Sequence, residues 1–219
     1  MLKPHLVYFA DPMCSWCWGF SPVIRAIAVR FGATLPIRLI LGGLSPGTTE
    51  PMNAESRREV RAHWDHVQAA SGQPFEFAFF ERERFIYDSE PPSRAVVVLR
   101  RRGMDVGLAA LGRIHRAFYA ENRDVTNIDT LTILASELGV DAADFRAEFE
   151  SEAAVQETHN DFALAQSAGV RGFPTLIAGK DGDHRYALVT HGFQAGALVI
   201  PALERWLADA ASSAGAGHA

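Results

Sequence analysis

The only two cysteines of the chain, Cys14 and Cys17, stand three positions apart in Asp11-Pro12-Met13-Cys14-Ser15-Trp16-Cys17-Trp18. On a helix, residues at i and i+3 share a face with β-carbons about 5–6 Å apart, so a small local adjustment closes a disulfide between two such thiols. The pair can therefore cycle between dithiol and disulfide. A zinc site is the competing use of a C-x-x-C pair, but tetrahedral zinc needs four ligands and there is no second cysteine pair. His63 and His66 would have to complete it from a distant segment, and their spacing fits an ordinary amphipathic helix face. A purely structural disulfide is the other use, although so short a ring removes little entropy from the unfolded chain.

The flanking residues say where the thiols sit. Val7, Tyr8 and Phe9 belong to a β-rich run, Asp11-Pro12 marks a turn, and apolar residues recur with helical spacing at Val23, Ile24, Ile27, Ala28 and Phe31. In this strand–loop–helix arrangement Cys14 falls at the first helical turn, where unpaired N–H groups and the helix dipole favour a thiolate. Cys17, one turn deeper, is shielded. Cys14 is accordingly expected to attack a substrate disulfide and Cys17 to resolve the mixed disulfide. Asp11 is read first as the turn residue before Pro12, and second as a proton acceptor for Cys17 should the fold bury it beside the sulfurs. Trp16, between the cysteines, is expected to present an apolar surface to substrate, and Trp18 to pack beneath helices.

Composition excludes several classes. With 48% hydrophobic and 21% charged residues in 219, the chain can bury a substantial core. A formal net charge of −5 argues against a nucleic-acid surface. Arg100 to Arg102, the one basic cluster, is expected at the solvated end of a helix. No stretch reaches the roughly 20 apolar residues that span a bilayer, and Met1 to His5 show no leader pattern, so no membrane partner and a cytoplasmic location are expected. In that reducing compartment a C-x-x-C pair is better explained by catalysis than by a permanent crosslink.

Pattern and punctuation predict a strand at 5–10, a helix at 14–31 interrupted and kinked at Pro22, and a strand at 35–41, together a βαβ unit. From about Asn53 to Ser151 the segments read as helices. Asn53 or Ser56 caps the first, Ser93 a helix from Arg94 to Arg102, Asp105 one to about Ala120, Asn127 one ending at Gly139, and Asp141 a short one. Phe75, Phe77, Phe79 and Phe80 form an aromatic cluster of no assignable period. A helix from Glu152 to Ala168, a strand after Pro174, a return strand at 185–189 and a closing helix from about Ala197 to Ala210 complete the chain. The expected organisation is an α/β domain from 1–47 and 151–210, a helical domain at 48–150, and a flexible tail at 211–219.

This order, with Asp11 to Phe20, Leu41-Gly42-Gly43-Leu44 and Gly169-Val170-Arg171-Gly172-Phe173-Pro174-Thr175, resembles the thioredoxin-like fold of the DsbA family, in its cytoplasmic FrnE-like branch. The resemblance reaches about residue 208 and implies an α/β thioredoxin-like fold with an all-α domain inserted after the first βαβ unit. It implies a cis Phe173-Pro174 bond beside the sulfurs, with the Phe173 backbone free to position an extended substrate. It also implies thiol:disulfide oxidoreductase or disulfide isomerase activity, with protein thiols and disulfides or glutathione as partners and no cofactor beyond the redox-active pair. A homodimer is among the assemblies it allows. Ser15-Trp16 replaces the histidine-containing arrangement of the strongly oxidising periplasmic members, so a less oxidising pair is expected. Two other functions stay open: a glutathione-dependent isomerase or transferase of the hydroxychromene-carboxylate or kappa type, whose members carry serine at the first cysteine position, and a non-catalytic redox chaperone.

Overall fold

The structure, a computed structural model, describes residues 3–183 and 185–215. Its sheet has four strands in the order β2-β1-β3-β4. β1 (Pro4–Ala10) is central and mostly buried, reading as an almost unbroken apolar run because both of its faces are covered. α1 (Ser15–Phe31) leads from it to β2 (Ile37–Leu41), which pairs parallel to β1 from Leu6↔Ile37 to Ala10↔Leu41. The helix ends at Gly32, at φ +49, whose N–H bonds to the Ala28 carbonyl. β3 (Thr175–Lys180) lies antiparallel on the other flank of β1, and β4 (Ala187–His191) closes that edge beyond a bulge at Leu176/Ile177.

Six helices separate β2 from β3: α2 (Ala54–Ser71), α3 (Glu90–Arg100), α4 (Met104–Tyr119), α5 (Ile128–Glu137), α6 (Ala142–Phe149) and α7 (Glu152–Ser167). Side-chain caps set several of their starts. Asn53 accepts from Ser56 N at 2.9 Å, Asn127 from Asp129 N at 2.7 Å and Asp141 from Ala143 N at 2.8 Å. Trp64 on α2 is fully buried, with the rings of Phe75, Phe79, Phe80 and Tyr119 centred 4.9–5.2 Å away. The aromatic run that shows no period in sequence holds a 3-10 turn, Phe77–Glu81, so its spacing is neither 2 nor 3.6. α8 (Gly196–Gly215) follows β4. It passes the expected stop at Ala210, and residues 216–219 of the expected tail lie outside the described residues.

Three expectations need correction. α4 begins at Met104 with Gly103 as its N-cap, so Asp105 lies within the first turn, at the positive end of the helix dipole, and does not cap it. α3 begins at Glu90, not after Ser93, because Pro91 and Pro92 occupy its first turn, where no N–H is required and a fixed φ suits the helix. Arg100 to Arg102 do stand at the end of α3 with Arg101 and Arg102 exposed, but Arg100 is drawn inward. Arg100 Nη1 donates to the Leu39 carbonyl at 2.6 Å and to Asp161 at 2.7 Å, while Asp161 accepts from Leu41 N at 2.9 Å. The outer backbone of the edge strand β2 is thereby satisfied by an ion pair. Arg101 and Arg102 bond Glu148, and Arg101 also bonds Glu157. Among the described residues, no helix is long and apolar enough to cross a membrane.

Candidate active site

Cys14 is the N-cap of α1, with extended backbone at φ −93 and ψ 113, because Asp11-Pro12 turns the chain just before it and Cys14 N donates to the Asp11 carbonyl at 3.1 Å. Its thiol donates to the Phe173 carbonyl at 3.5 Å. Cys17, one turn on, is fully buried, and both cysteines are free thiols. Burial pushes the Cys17 thiol well above its ordinary range, and the neighbouring Cys14 sulfur adds to the rise. The Phe173–Pro174 bond is cis. The Phe173 carbonyl thus faces the Cys14 sulfur directly.

Phe173 is held by the loop that follows β2. A β-carbon on Gly42 would lie 2.0 Å from its ring, so the ring rests on bare backbone. Gly43, at φ +69, would meet the Phe162 ring at 2.9 Å in the same way. The glycine pair after β2 is therefore a seat for two aromatic side chains. Asp11 ties this loop to the cysteine loop: its carboxylate accepts from Leu44 N at 2.7 Å and Met13 N at 2.8 Å. It is fully buried, and burial lifts its pKa to about 6 against the opposing pull of those N–H groups.

Four further side chains complete the site, none of them marked by sequence spacing. His115 of α4 donates from Nε2 to the Asp11 carbonyl at 3.0 Å, and burial lowers its pKa to about 4, so the ring is neutral at pH 7. Tyr87 donates to the Met13 carbonyl at 2.5 Å and lies 3.4 Å from the Tyr119 hydroxyl. The Tyr8 hydroxyl, buried in β1, neighbours the Cys17 sulfur, and burial pushes the hydroxyl well above its ordinary range. Trp18 packs between these elements and donates to the Pro74 carbonyl at 3.0 Å, while half-buried Trp16 packs on Phe193 at 5.8 Å. Above the thiols opens a cleft of about 580 Å³ lined by Cys14, Trp16, Leu44, Tyr87 and Phe173, with Glu50 and His63 among its polar groups. His66 is exposed and does not line it, and among the described residues no group of three His, Cys, Asp or Glu could hold a metal ion.

The family model described as DSBA-like thioredoxin domain matches residues 5–203. Among solved structures, a candidate protein disulfide isomerase from Nitrosomonas europaea is 35% identical, with 94% of this chain and 98% of that one covered and a TM-score of 0.86. The cytosolic disulfide reductase DsbM from Pseudomonas aeruginosa is 32% identical over 85% of this chain and 89% of its own, with a TM-score of 0.71, and has also been solved with GSH. Among curated proteins, the ClpXP adapter protein SpxH of Halalkalibacterium halodurans is 26% identical over 80% of this chain. The chain spans only 58% of that relative's length. With a match that runs from β1 into α8 and carries the cysteine loop, the glycine seat and the Phe173 loop together, the chain belongs to the DSBA-like thioredoxin domain family.

Proposed function

We propose that the chain is a thiol:disulfide oxidoreductase acting by dithiol/disulfide exchange, with Cys14 as nucleophile, Cys17 as resolving thiol and Asp11 as the proton acceptor for Cys17. The observation that carries this reading is the asymmetry of the pair: one sulfur faces an open cleft and the other is sealed beneath it. The Cys14 thiolate attacks one sulfur of the substrate disulfide, and the other sulfur leaves as a thiolate that takes up a proton. Cys17, kept protonated by its burial, then gives its proton to Asp11, and its sulfur attacks Cys14. A Cys14–Cys17 disulfide forms, the second substrate thiolate leaves, and two electrons have passed to the substrate. In the reverse direction the same steps oxidise a dithiol. Phe173 and Pro174 border the attacking sulfur and position the substrate, and Trp16 supplies an apolar contact at the cleft edge.

Protein thiols and disulfides or glutathione are the partners this reading takes, in the cytoplasm. The DsbM structure with GSH supports the glutathione arm, and the cleft has the volume of a small-molecule site. Two thiols favour exchange over the single-serine isomerase chemistry. An adapter function, as the SpxH relatives are named, needs a docking surface and no thiol. Equilibrium reduction against glutathione, read by thiol alkylation and mass, tests the proposal. A single two-electron transition between about −270 and −120 mV is expected. A disulfide that resists reduction below about −300 mV would make the pair structural.

A further inference from the structure

A second cavity, of about 450 Å³, lies between α1 and α4 and shares no lining residue with the thiol cleft. Tyr8 and His115, both fully buried, form its floor, and Ile24 and Leu111 line it with apolar surface. Arg25, Arg113 and Arg116 also line it, Arg113 being paired with Glu121 and Glu137 and Arg116 with Glu121 from outside the lining, which leaves Arg25 as its main cation. Its volume falls within the range of small-molecule sites.

Three independent features of this cavity point to an occupant. First, His115 donates from Nε2 to the Asp11 carbonyl, so Nδ1 of the neutral ring is an acceptor, and it is buried without a partner. Burying a polar group unpaired is costly. Second, Arg113 spends Nε on Glu137 and Nη2 on Glu121, yet its Nη1 is also buried without a partner. Third, Gly112 lines the cavity from the interior of α4, where a β-carbon would meet nothing within 4 Å and the backbone needs no positive φ. Neither packing nor conformation calls for glycine there, and glycine weakens a helix relative to alanine. Its effect is to keep the cavity open.

We propose that this cavity binds a small carboxylate with an apolar body and a hydroxyl at its far end. The carboxylate meets Arg25 and the unpartnered Nη1 of Arg113, the body lies between Ile24 and Leu111, and the hydroxyl donates to His115 Nδ1. The occupant would lie one side chain from the redox pair on each route, through Tyr8 to Cys17 and through His115 to Asp11.

Calorimetric titration of the full chain with 3-(4-hydroxyphenyl)propanoate tests this. Saturable one-to-one binding is expected. Removing the hydroxyl (3-phenylpropanoate) or the charge (the corresponding amide) should each weaken it about tenfold, the loss of one hydrogen-bonded partner. Gly112→Met, which fills the space, should abolish binding with the circular dichroism spectrum unchanged. Should that variant not fold, Arg25→Ala decides, weakening the acid but not the amide. No saturable heat up to the solubility of the probe, equal affinity for acid and amide, or full binding to Gly112→Met would overturn the proposal.

Discussion

The two sides of α1 treat the two sulfurs differently. On the cleft side Cys14 meets main chain, the Phe173 carbonyl, held in place by an aromatic ring seated on Gly42. On the sheet side Cys17 is enclosed by titratable side chains, with the Tyr8 hydroxyl and Asp11 near its sulfur and His115 behind Asp11. A peptide carbonyl does not titrate, so the front of the helix holds geometry at any pH. The back holds protons. The glycines repeat the contrast, since Gly42 is required by a ring 2.0 Å from its absent β-carbon and Gly112 is required by nothing in the packing.

The largest effect should come from exchanging the sulfurs themselves. Cys17→Ser is expected to accumulate mixed disulfides through Cys14, and Cys14→Ser to lose both exchange and trapping, as read by alkylation and intact mass. Equal trapping through Cys17 in the second variant would erase the distinction between the two sides.

A pH series on the back of the helix should give the next largest effect. His115 titrates near 4 when folded, below its ordinary 6.5, so its contribution to stability is present above 6.5 and is lost as pH falls toward 4. Asp11 titrates near 6, above its ordinary 3.8, so its contribution is present below 3.8 and is lost as pH rises through 6. Between about pH 4 and 6 the two slopes oppose. Relative to the unmodified chain, urea unfolding of Asp11→Asn should gain stability with rising pH in that window, at about 1.4 kcal/mol per unit. His115→Gln should lose stability with rising pH at a similar rate. Parallel curves for both variants would remove the protonic role of this side.

Gly42→Ala probes the front and should cost about 2 kcal/mol by overpacking against Phe173. It should also slow exchange, because the carbonyl that Cys14 faces moves with the ring. Gly112→Ala should have the smallest effect and the opposite sign. An increase of about 1 kcal/mol in unfolding free energy is expected, since the new methyl meets nothing and the helix gains propensity.

What could be read from sequence was mostly local. Asn53, Asn127 and Asp141 announce helix starts through side-chain oxygens two or three residues from the N–H groups they serve, and Gly72 and Gly139 mark the ends. The cysteine loop and the Phe173-Pro174 pair were legible as motifs, and so was the order of strands and helices. The errors arise where a residue answers to something distant or where one rule masks another. Pro91 and Pro92 look like helix breakers until the helix is seen to start at Glu90. Arg100 looks solvent-facing until β2 and Asp161 arrive beside it. His115 and Tyr87 contact the cysteine loop from 104 and 74 positions away in the chain, and no short-range pattern marks either one. Leu41-Gly42-Gly43-Leu44 was visible as a motif, but its reason lies in a ring from a much later segment.

The central place of β1 has a consequence for the newly made chain. Its parallel partner β2 follows at once, but its other partner, β3, comes only after all six intervening helices, with Leu6 paired to Ala178. Such distant pairing adds a long loop to close and slows assembly. During synthesis both thiols are made well before the carbonyl that faces one of them and the strand that pairs with the other edge of β1. Until then one edge of β1 and two cysteines are open to other molecules, and the nascent chain is itself a substrate for the thiol chemistry of its surroundings.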